Sequence, residues 1–169
     1  MKASLLCTLF VLGLLIRARC EQSSWANIEC LLGKSVASEE VSRFVEMNHL
    51  NRYSVTNASA VVTAFVNSKK SPFVLVCDNN MVDEVQVTLW KYMEAPYSGK
   101  LPHELQQEDA FDTVVQRLGQ PTRQAFHDGF IDAYYPKLRL LFVFDEKSRH
   151  LRDVVIYREG FGPRSRLLQ

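Results

Sequence analysis

The sequence predicts an α+β fold, in which short helices pack on one face of an antiparallel sheet. Three observations lead to this prediction. Apolar residues recur at helical spacing in three short segments, whereas β-branched and aromatic residues cluster in six others. Turn residues separate neighbouring strand-like clusters, so that adjacent strands join as hairpins in an antiparallel meander.

The three helices are marked at their ends as well as by their apolar residues. Ser24 and Ser38 precede the first two helices. Serine is a preferred N-cap residue, so both positions predict helix starts. Gly33 and Gly119 end the first and third helices, as a C-terminal glycine does. The apolar positions are Trp25, Ile28, Leu31 and Leu32, then Val41, Phe44 and Val45, then Phe111, Val114, Val115 and Leu118.

Six strands are predicted, three on either side of a connector that contains Pro96, Gly99 and Pro102. Asp78-Asn79-Asn80 has the composition of a turn, so the second and third strands form a hairpin. The predicted strands are Ala60 to Val66, Phe73 to Cys77, Val82 to Tyr92, Phe130 to Tyr135, Leu138 to Phe144 and Leu151 to Arg158.

The first twenty residues are predicted to be a secretory signal peptide. Residues 1–20 hold an apolar run that is shorter than the roughly 20 residues needed to cross a bilayer. Cleavage after Cys20 would leave Glu21 as the first residue of a secreted or periplasmic protein with no membrane span. In one alternative, Cys20 is the lipid anchor of a bacterial lipoprotein; Arg19, where such sites usually have a small residue, argues against it.

One domain is expected after cleavage, because the remaining chain of about 150 residues can bury a single core. The domain spans residues 21–160, with halves at 21–93 and 103–160, and the tail at 161–169 is expected to be mobile. The 20 basic and 19 acidic residues give a net charge of +1. This balance favours neither nucleic acid nor an anionic membrane as a partner.

The two halves contain similar stretches of sequence. Phe73–Asp78 followed by Asp83–Leu89 resembles Leu140–Asp145 followed by Arg152–Tyr157. In both halves, a strand that ends in aspartate is followed by a turn and another strand. The pattern predicts a diverged tandem repeat.

The second half also carries the pattern of a known family. A helix ending in Leu118-Gly119-Gln120-Pro121, followed by strands whose last two lie within Leu140 to Tyr157, resembles the superfamily of β-lactamase-inhibitory proteins and outer-membrane-assembly lipoproteins. The resemblance implies a helical layer on an antiparallel sheet that binds another protein. The long first half departs from the family pattern.

Metal, cofactor and enzyme signatures are absent from the sequence. The four histidines are not spaced as zinc ligands, which predicts no metal and no cofactor. Hydrolase and phosphate-loop motifs are also missing, so a non-enzymatic protein is predicted. The alternative is a small hydrolase that uses His127 and Asp128 with Asp132 nearby; against it, such residues are ordinary components of turns.

Two covalent modifications are considered. Cys30 and Cys77 are the cysteines that follow the signal, and an exported chain could pair them in a disulfide. Alternatively, both are small buried hydrophobic residues. Asn57-Ala58-Ser59 matches the N-glycosylation motif, which applies only if the organism is eukaryotic.

The predicted binding site is a group of aromatic residues on a polar strand face. Alternation from Val85 to Tyr92 places Trp90 and Tyr92 opposite the apolar residues, and Tyr97 follows in the connector. Trp and Tyr are typical anchors of protein interfaces, so these three residues, with Arg139 and Arg152 as charged neighbours, predict a protein-binding surface of an inhibitor, an immunity-type protein or an assembly factor.

The sequence also allows two alternatives to a protein-binding surface for these aromatic residues. A helix or the connector could cover that strand face, and the aromatic residues would then belong to the core. In a small-ligand carrier, the sheet would curl over the helices and the aromatic residues would line a pocket.

Overall fold

The fold is described from a computed structural model for residues 24–57, 60–67, 69–90, 94–160 and 162. Within these residues there are three α-helices and eight β-strands. The helices are α1 (Trp25–Glu29), α2 (Glu39–Met47) and α3 (Phe111–Leu118). The strands are β1 (Asn51–Asn57), β2 (Ala60–Val66), β3 (Phe73–Asp78), β4 (Met81–Thr88), β5 (Arg123–His127), β6 (Phe130–Tyr135), β7 (Leu140–Asp145) and β8 (Leu151–Tyr157).

All eight strands belong to one sheet with the order β1-β2-β3-β4-β8-β7-β6-β5, and every neighbouring pair is antiparallel. Each half contributes a meander of four strands, and the last strands of the two meanders pair at the centre. The sheet and its short helices confirm the predicted α+β class.

The pairing of β4 with β8 relates the two halves by a local twofold. The similarity between the halves aligns Val85 with Val154 and Val87 with Ile156, whereas the register pairs Val85 with Ile156 and Val87 with Val154. Each residue therefore pairs with the counterpart of its partner, as a twofold axis through the Gln86–Val155 pair requires. The geometry is consistent with a duplication, which stays a prediction.

Both halves also carry a β-bulge at the same place. The β3–β4 register shifts by one residue at Asp83, and the β7–β8 register shifts by one residue at Arg152, the aligned position. Each extra residue accepts a backbone hydrogen bond from the residue just past the other central strand. Arg158 N–H donates to the Asp83 carbonyl and Leu89 N–H donates to the Arg152 carbonyl, both at 2.8 Å.

The main core lies between the helices and one face of the sheet. Val85, Val87 and Leu89 are buried there, as strand alternation predicts. The helices contribute buried residues to the same core, including Val41 and Val114. The predicted arrangement of helices on one face is therefore confirmed, and the side chains at alternate strand positions point to the opposite face.

The helix ends follow the sequence with two exceptions. Helix α1 ends at Glu29 with Cys30 as its C-cap, so Gly33 does not end it as predicted. The Ser38 hydroxyl accepts a hydrogen bond from Val41 N–H, as an N-cap should, but Ser24 makes no such side-chain bond. Gly33 and Gly119 have φ values of 74° and 83°, in the region that glycine adopts without strain.

Two strands were not predicted, and three predicted strands are shorter than expected, one of them being β8, which ends at Tyr157 rather than at Arg158. Strand β5 is short and polar and has no strand signal in the sequence. Asp128 and Gly129 have positive φ values and join it to β6 as a two-residue hairpin. Strand β1 was missed for its polar composition. Strand β4 ends at Thr88 rather than at residue 92, and a 3₁₀ turn at Pro136–Leu138 delays the start of β7.

Several predictions fall outside the described residues. These are the signal peptide at residues 1–20, the lipid anchor at Cys20 and nearly all of the tail at 161–169. In the part of the chain that is described, no helix combines the length and the apolar character that a membrane crossing needs.

Candidate functional site

The candidate site lies on the face of the sheet that points away from the helices, which we call the second face. Its centre in the second half is a small apolar cluster of buried residues, with Phe130 and Tyr134 packed against it. The buried residues of this cluster are Leu141, Val143, Val155 and Tyr157. Gln86, Thr88 and the exposed Trp90 continue the second face along and beyond β4, as alternation predicts.

Trp90, Arg152 and Phe130 form a stack on this face. The Arg152 guanidinium carbon lies 4.4 Å from the centre of the Trp90 ring and 4.4 Å from the centre of the Phe130 ring. Trp90 is 42% exposed, so one wall of the stack is accessible to solvent. A guanidinium held between two aromatic faces is stabilised by the ring quadrupoles and keeps a fixed orientation.

The β-bulge explains how Arg152 reaches the second face. Val154 points into the main core, so strict alternation would also direct Arg152 toward the helices. The extra residue in β8 instead lets Arg152 and Asp153 share the second face. The sequence predicted Arg152 as a charged neighbour of Trp90, which the stack confirms. It gave no sign of Phe130 or of the stacking, because neither the bulge nor the strand order was known.

One donor of the stack lacks a close acceptor. Arg152 Nε is buried and makes no hydrogen bond with the residues that the structure describes. The Asp153 Oδ2 atom lies 3.8 Å from Nε, within ion-pair range but beyond hydrogen-bond distance. The guanidinium is therefore only partly neutralised, and the exposed part of it can donate to a further carboxylate or carbonyl oxygen.

Tyr97 was predicted to be an exposed anchor, and this prediction is wrong. The side chain is only 2% exposed, because the connector folds back on the end of β4. Tyr97 N–H donates to the Thr88 carbonyl at 3.0 Å, and the ring packs edge-on against Phe73 in the main core. Burial also raises the pKa of the Tyr97 phenol. Tyr97 is therefore a core residue on the helical side of the sheet, and Trp90 on the second face stays 42% exposed.

Arg139 also differs from its prediction, and Tyr92 lies outside the described residues. Arg139 was expected on a strand beside the aromatic residues, but it follows a 3₁₀ turn with a φ of 57°. Its guanidinium is 3.3 Å from Glu29 Oε1 on α1. The contacts recorded for Arg139 therefore tie it to the helical layer rather than to Trp90.

Buried acidic side chains accompany the apolar cluster. Glu84, Asp132 and Asp153 are buried on the second face, and Asp83 at the first bulge is buried as well. The Asp83 carboxylate is paired with Arg158, with 2.8 Å between Oδ1 and Nη2. Buried charges of this kind require partners. The second face therefore combines an apolar cluster with buried acidic groups.

His127 is paired with Asp132 rather than with the adjacent Asp128. The distance from His127 Nε2 to Asp132 Oδ2 is 2.9 Å, and Asp132 is 1% exposed, while Asp128 lies in the hairpin turn. The Tyr134 hydroxyl donates to the same carboxylate oxygen at 3.4 Å. A hydrolase would also need a nucleophile within reach of the imidazole, and the described contacts of His127 are with a carboxylate and the Phe130 ring.

The two cysteines do not form the predicted disulfide. Cys30 is exposed at the end of α1 and Cys77 is buried in β3, and both are free thiols. The buried alternative is correct for Cys77 but not for Cys30. Burial, with a smaller contribution from the Asp83 charge, raises the pKa of the Cys77 thiol to about 12.

The remaining site predictions concern metal and sugar. Among the described residues, no group of three or more His, Cys, Asp or Glu side chains could hold a metal ion. Asn57 is the last residue of β1, and the other two residues of its glycosylation motif lie outside the described residues. Glycosylation at Asn57 stays a prediction.

Known proteins add no further constraint on this site. Comparison of the chain with protein-family models, with curated proteins and with solved structures finds no match.

Proposed function

We propose that this protein binds another protein through the second face of its sheet, with the stack of Trp90, Arg152 and Phe130 as the centre of the interface. The observation that carries the proposal is the guanidinium held at 4.4 Å between two aromatic rings, one of them exposed. Trp and Arg are the residue types most enriched among interface residues that dominate binding energy.

The stack favours a partner that presents an acidic or carbonyl oxygen beside an apolar surface. The Trp90 ring offers apolar area that loses contact with water on binding. Arg152 offers a cation whose side chain is 29% exposed and whose neighbouring carboxylate oxygen, Asp153 Oδ2, lies beyond hydrogen-bond distance at 3.8 Å. Its position is already fixed by two rings, so binding costs little side-chain entropy.

In this proposal the protein is a non-enzymatic binding module that acts outside the cytoplasm. An inhibitor, an immunity-type protein or an assembly factor would each fit such a module, and the resemblance in the second half agrees with these roles. Export is part of the same proposal, and intact mass of the secreted or periplasmic protein tests it. A chain beginning at Glu21 is expected, whereas acyl groups on Cys20 would support the lipid anchor.

The experiment uses affinity capture with matched variants. Trp90→Ala and Arg152→Gln each alter the stack, while Phe126→Ala removes an aromatic side chain that is 64% exposed on the other face of β5. Proteins captured from an extract of the source cells by the unmodified chain are expected to be retained by Phe126→Ala. Binding should weaken by roughly 2 kcal/mol or more in Trp90→Ala.

The same variants control for folding. Trp90→Ala should change the free energy of unfolding by no more than about 1 kcal/mol, because an exposed ring has few core contacts to lose. A partner that binds Trp90→Ala and Arg152→Gln as tightly as the unmodified chain would contradict the proposal. A loss of about 3–5 kcal/mol in Trp90→Ala would mean that the ring is a core residue.

A further inference from the structure

A separate cavity of about 640 Å³ opens at the end of the sheet where β6 and β8 finish. It lies at the opposite end of β6 from Phe130 and does not include the Trp90 stack. This volume is within the range of sites that hold small organic ligands. The residues that define its chemistry are Arg123, Tyr134, Pro136, Arg139, Tyr157 and Glu159.

The walls of the cavity suit a flat apolar group. Tyr134 and Tyr157 belong to the second face, and both pack with its apolar cluster. Tyr157 is nearly buried, and burial together with the neighbouring Tyr134 raises the pKa of its phenol. Two aromatic side chains and Pro136 thus give stacking and edge contacts to a planar ligand.

The charges that line the cavity favour a single negative charge. Arg123 lies over the Tyr134 ring at 5.7 Å, and it makes no ion pair with the described carboxylates. Arg139 is balanced by Glu29, and Glu159 adds one negative charge to the lining. Glu159 repels any anion, but a monoanion is neutralised by pairing with Arg123, whereas a dianion would keep a second, unpaired charge near Glu159.

We propose that this cavity binds an aromatic organic monoanion, whose acid group pairs with Arg123 and whose ring packs against Tyr134 and Tyr157. The proposal goes beyond the protein-binding function and does not depend on it, because Trp90, Arg152 and Phe130 do not line the cavity. A small ligand here would make the protein a binder of aromatic acids, either alongside its protein partner or without one.

The test compares two probes of the same shape. 2-Naphthoate carries the charge, and 2-naphthamide is its neutral counterpart. Isothermal titration of the unmodified chain at pH 7.5 should show saturable binding of naphthoate, with naphthamide binding at least about tenfold more weakly, as expected when a charge-assisted hydrogen bond is lost. Arg123→Gln should abolish that preference, while Arg43→Gln, which changes an exposed arginine on α2, should keep it.

Three results would overturn the proposal. The first is the absence of saturable naphthoate binding up to about 1 mM, and the second is equal affinity for the two probes. The third is that Arg123→Gln and Arg43→Gln change the preference for naphthoate over naphthamide equally. The first two use the unmodified chain, so they do not depend on how a variant folds. Tyr134→Leu provides an independent check, because it should weaken both probes together by removing the aromatic wall.

Discussion

The two halves carry the same β-bulge, but the bulges have different roles. Each central strand carries a bulge, but the extra residue is Asp83 in the first half and Arg152 in the second. Asp83 is buried and paired with Arg158, whereas Arg152 is stacked on the exposed Trp90. Both contacts reach a residue just past the other central strand. The backbone symmetry is thus kept, while one bulge holds the residue that follows β8 and the other supports an exposed aromatic surface.

The main core should respond similarly in both halves, and substitutions there should have the largest effects. Leu75 in β3 and Phe142 in β7 occupy aligned positions, and both are fully buried. We expect Leu75→Ala and Phe142→Ala to lower the free energy of unfolding by about 2–5 kcal/mol and about 3–5 kcal/mol. Urea unfolding measures both values.

The shared sheet makes the same experiment a test of cooperativity. Because β4 and β8 pair along the middle, both halves should unfold in one transition in the unmodified chain and in each variant. Two separate transitions, with only one of them moved by Phe142→Ala, would show that the halves are independent units.

The bulge residues should differ in their effect on stability. Asp83→Ala removes the buried partner of a partly exposed Arg158, and we expect a loss of about 1–3 kcal/mol. Arg152→Ala removes cation–π contacts that are partly exposed, and the loss should stay within about 1 kcal/mol. Thermal or urea unfolding of the two variants measures this difference. Equal losses would mean that Arg152 contributes as much to the stability of the fold as Asp83.

The two cysteines of the first half should differ in reactivity. At pH 8 an aromatic disulfide reagent should label Cys30, which is exposed, and leave Cys77 unlabelled until the protein unfolds, because the pKa of Cys77 is about 12. The Cys30→Ser and Cys77→Ser variants assign the signal. Rapid labelling of Cys77 in the native protein would contradict its burial.

The raised pKa of Cys77 also predicts how stability depends on pH. The folded state favours the protonated thiol, and this preference adds to the free energy of unfolding. The added stability is complete below pH 9, the ordinary pKa of a cysteine thiol. It is then lost as the pH rises toward about 12, because the unfolded chain ionises first. Cys77→Ser should reduce this alkaline loss.

The sequence was most informative where residues act through local periodicity. The stripe that includes Phe111 and Val114 predicted α3, and the asparagines that follow Asp78 predicted a hairpin whose turn residues have positive φ values. Alternation also placed Trp90 on the face opposite Val87, because the faces of two residues close together in one extended segment do not depend on the positions of other strands.

The sequence was least informative where distant segments meet. The stack joins residues of β6 and β8 to the end of β4, and only the strand order and the bulge at Arg152 bring them together. Tyr97 was misplaced because a connector with two prolines reads as exposed, although it folds back to bond with Thr88. Strand β5 has too few apolar residues to show a period of two.

Site-specific photo-crosslinking of the captured partner tests the central claim most directly. A photoreactive amino acid at Thr88, on the second face beside the stack, is compared with one at Phe126 on the opposite face. Neither substitution removes a member of the stack. The proposed interface predicts a covalent adduct with the partner from position 88 and none from position 126. An adduct from position 126 alone would contradict it.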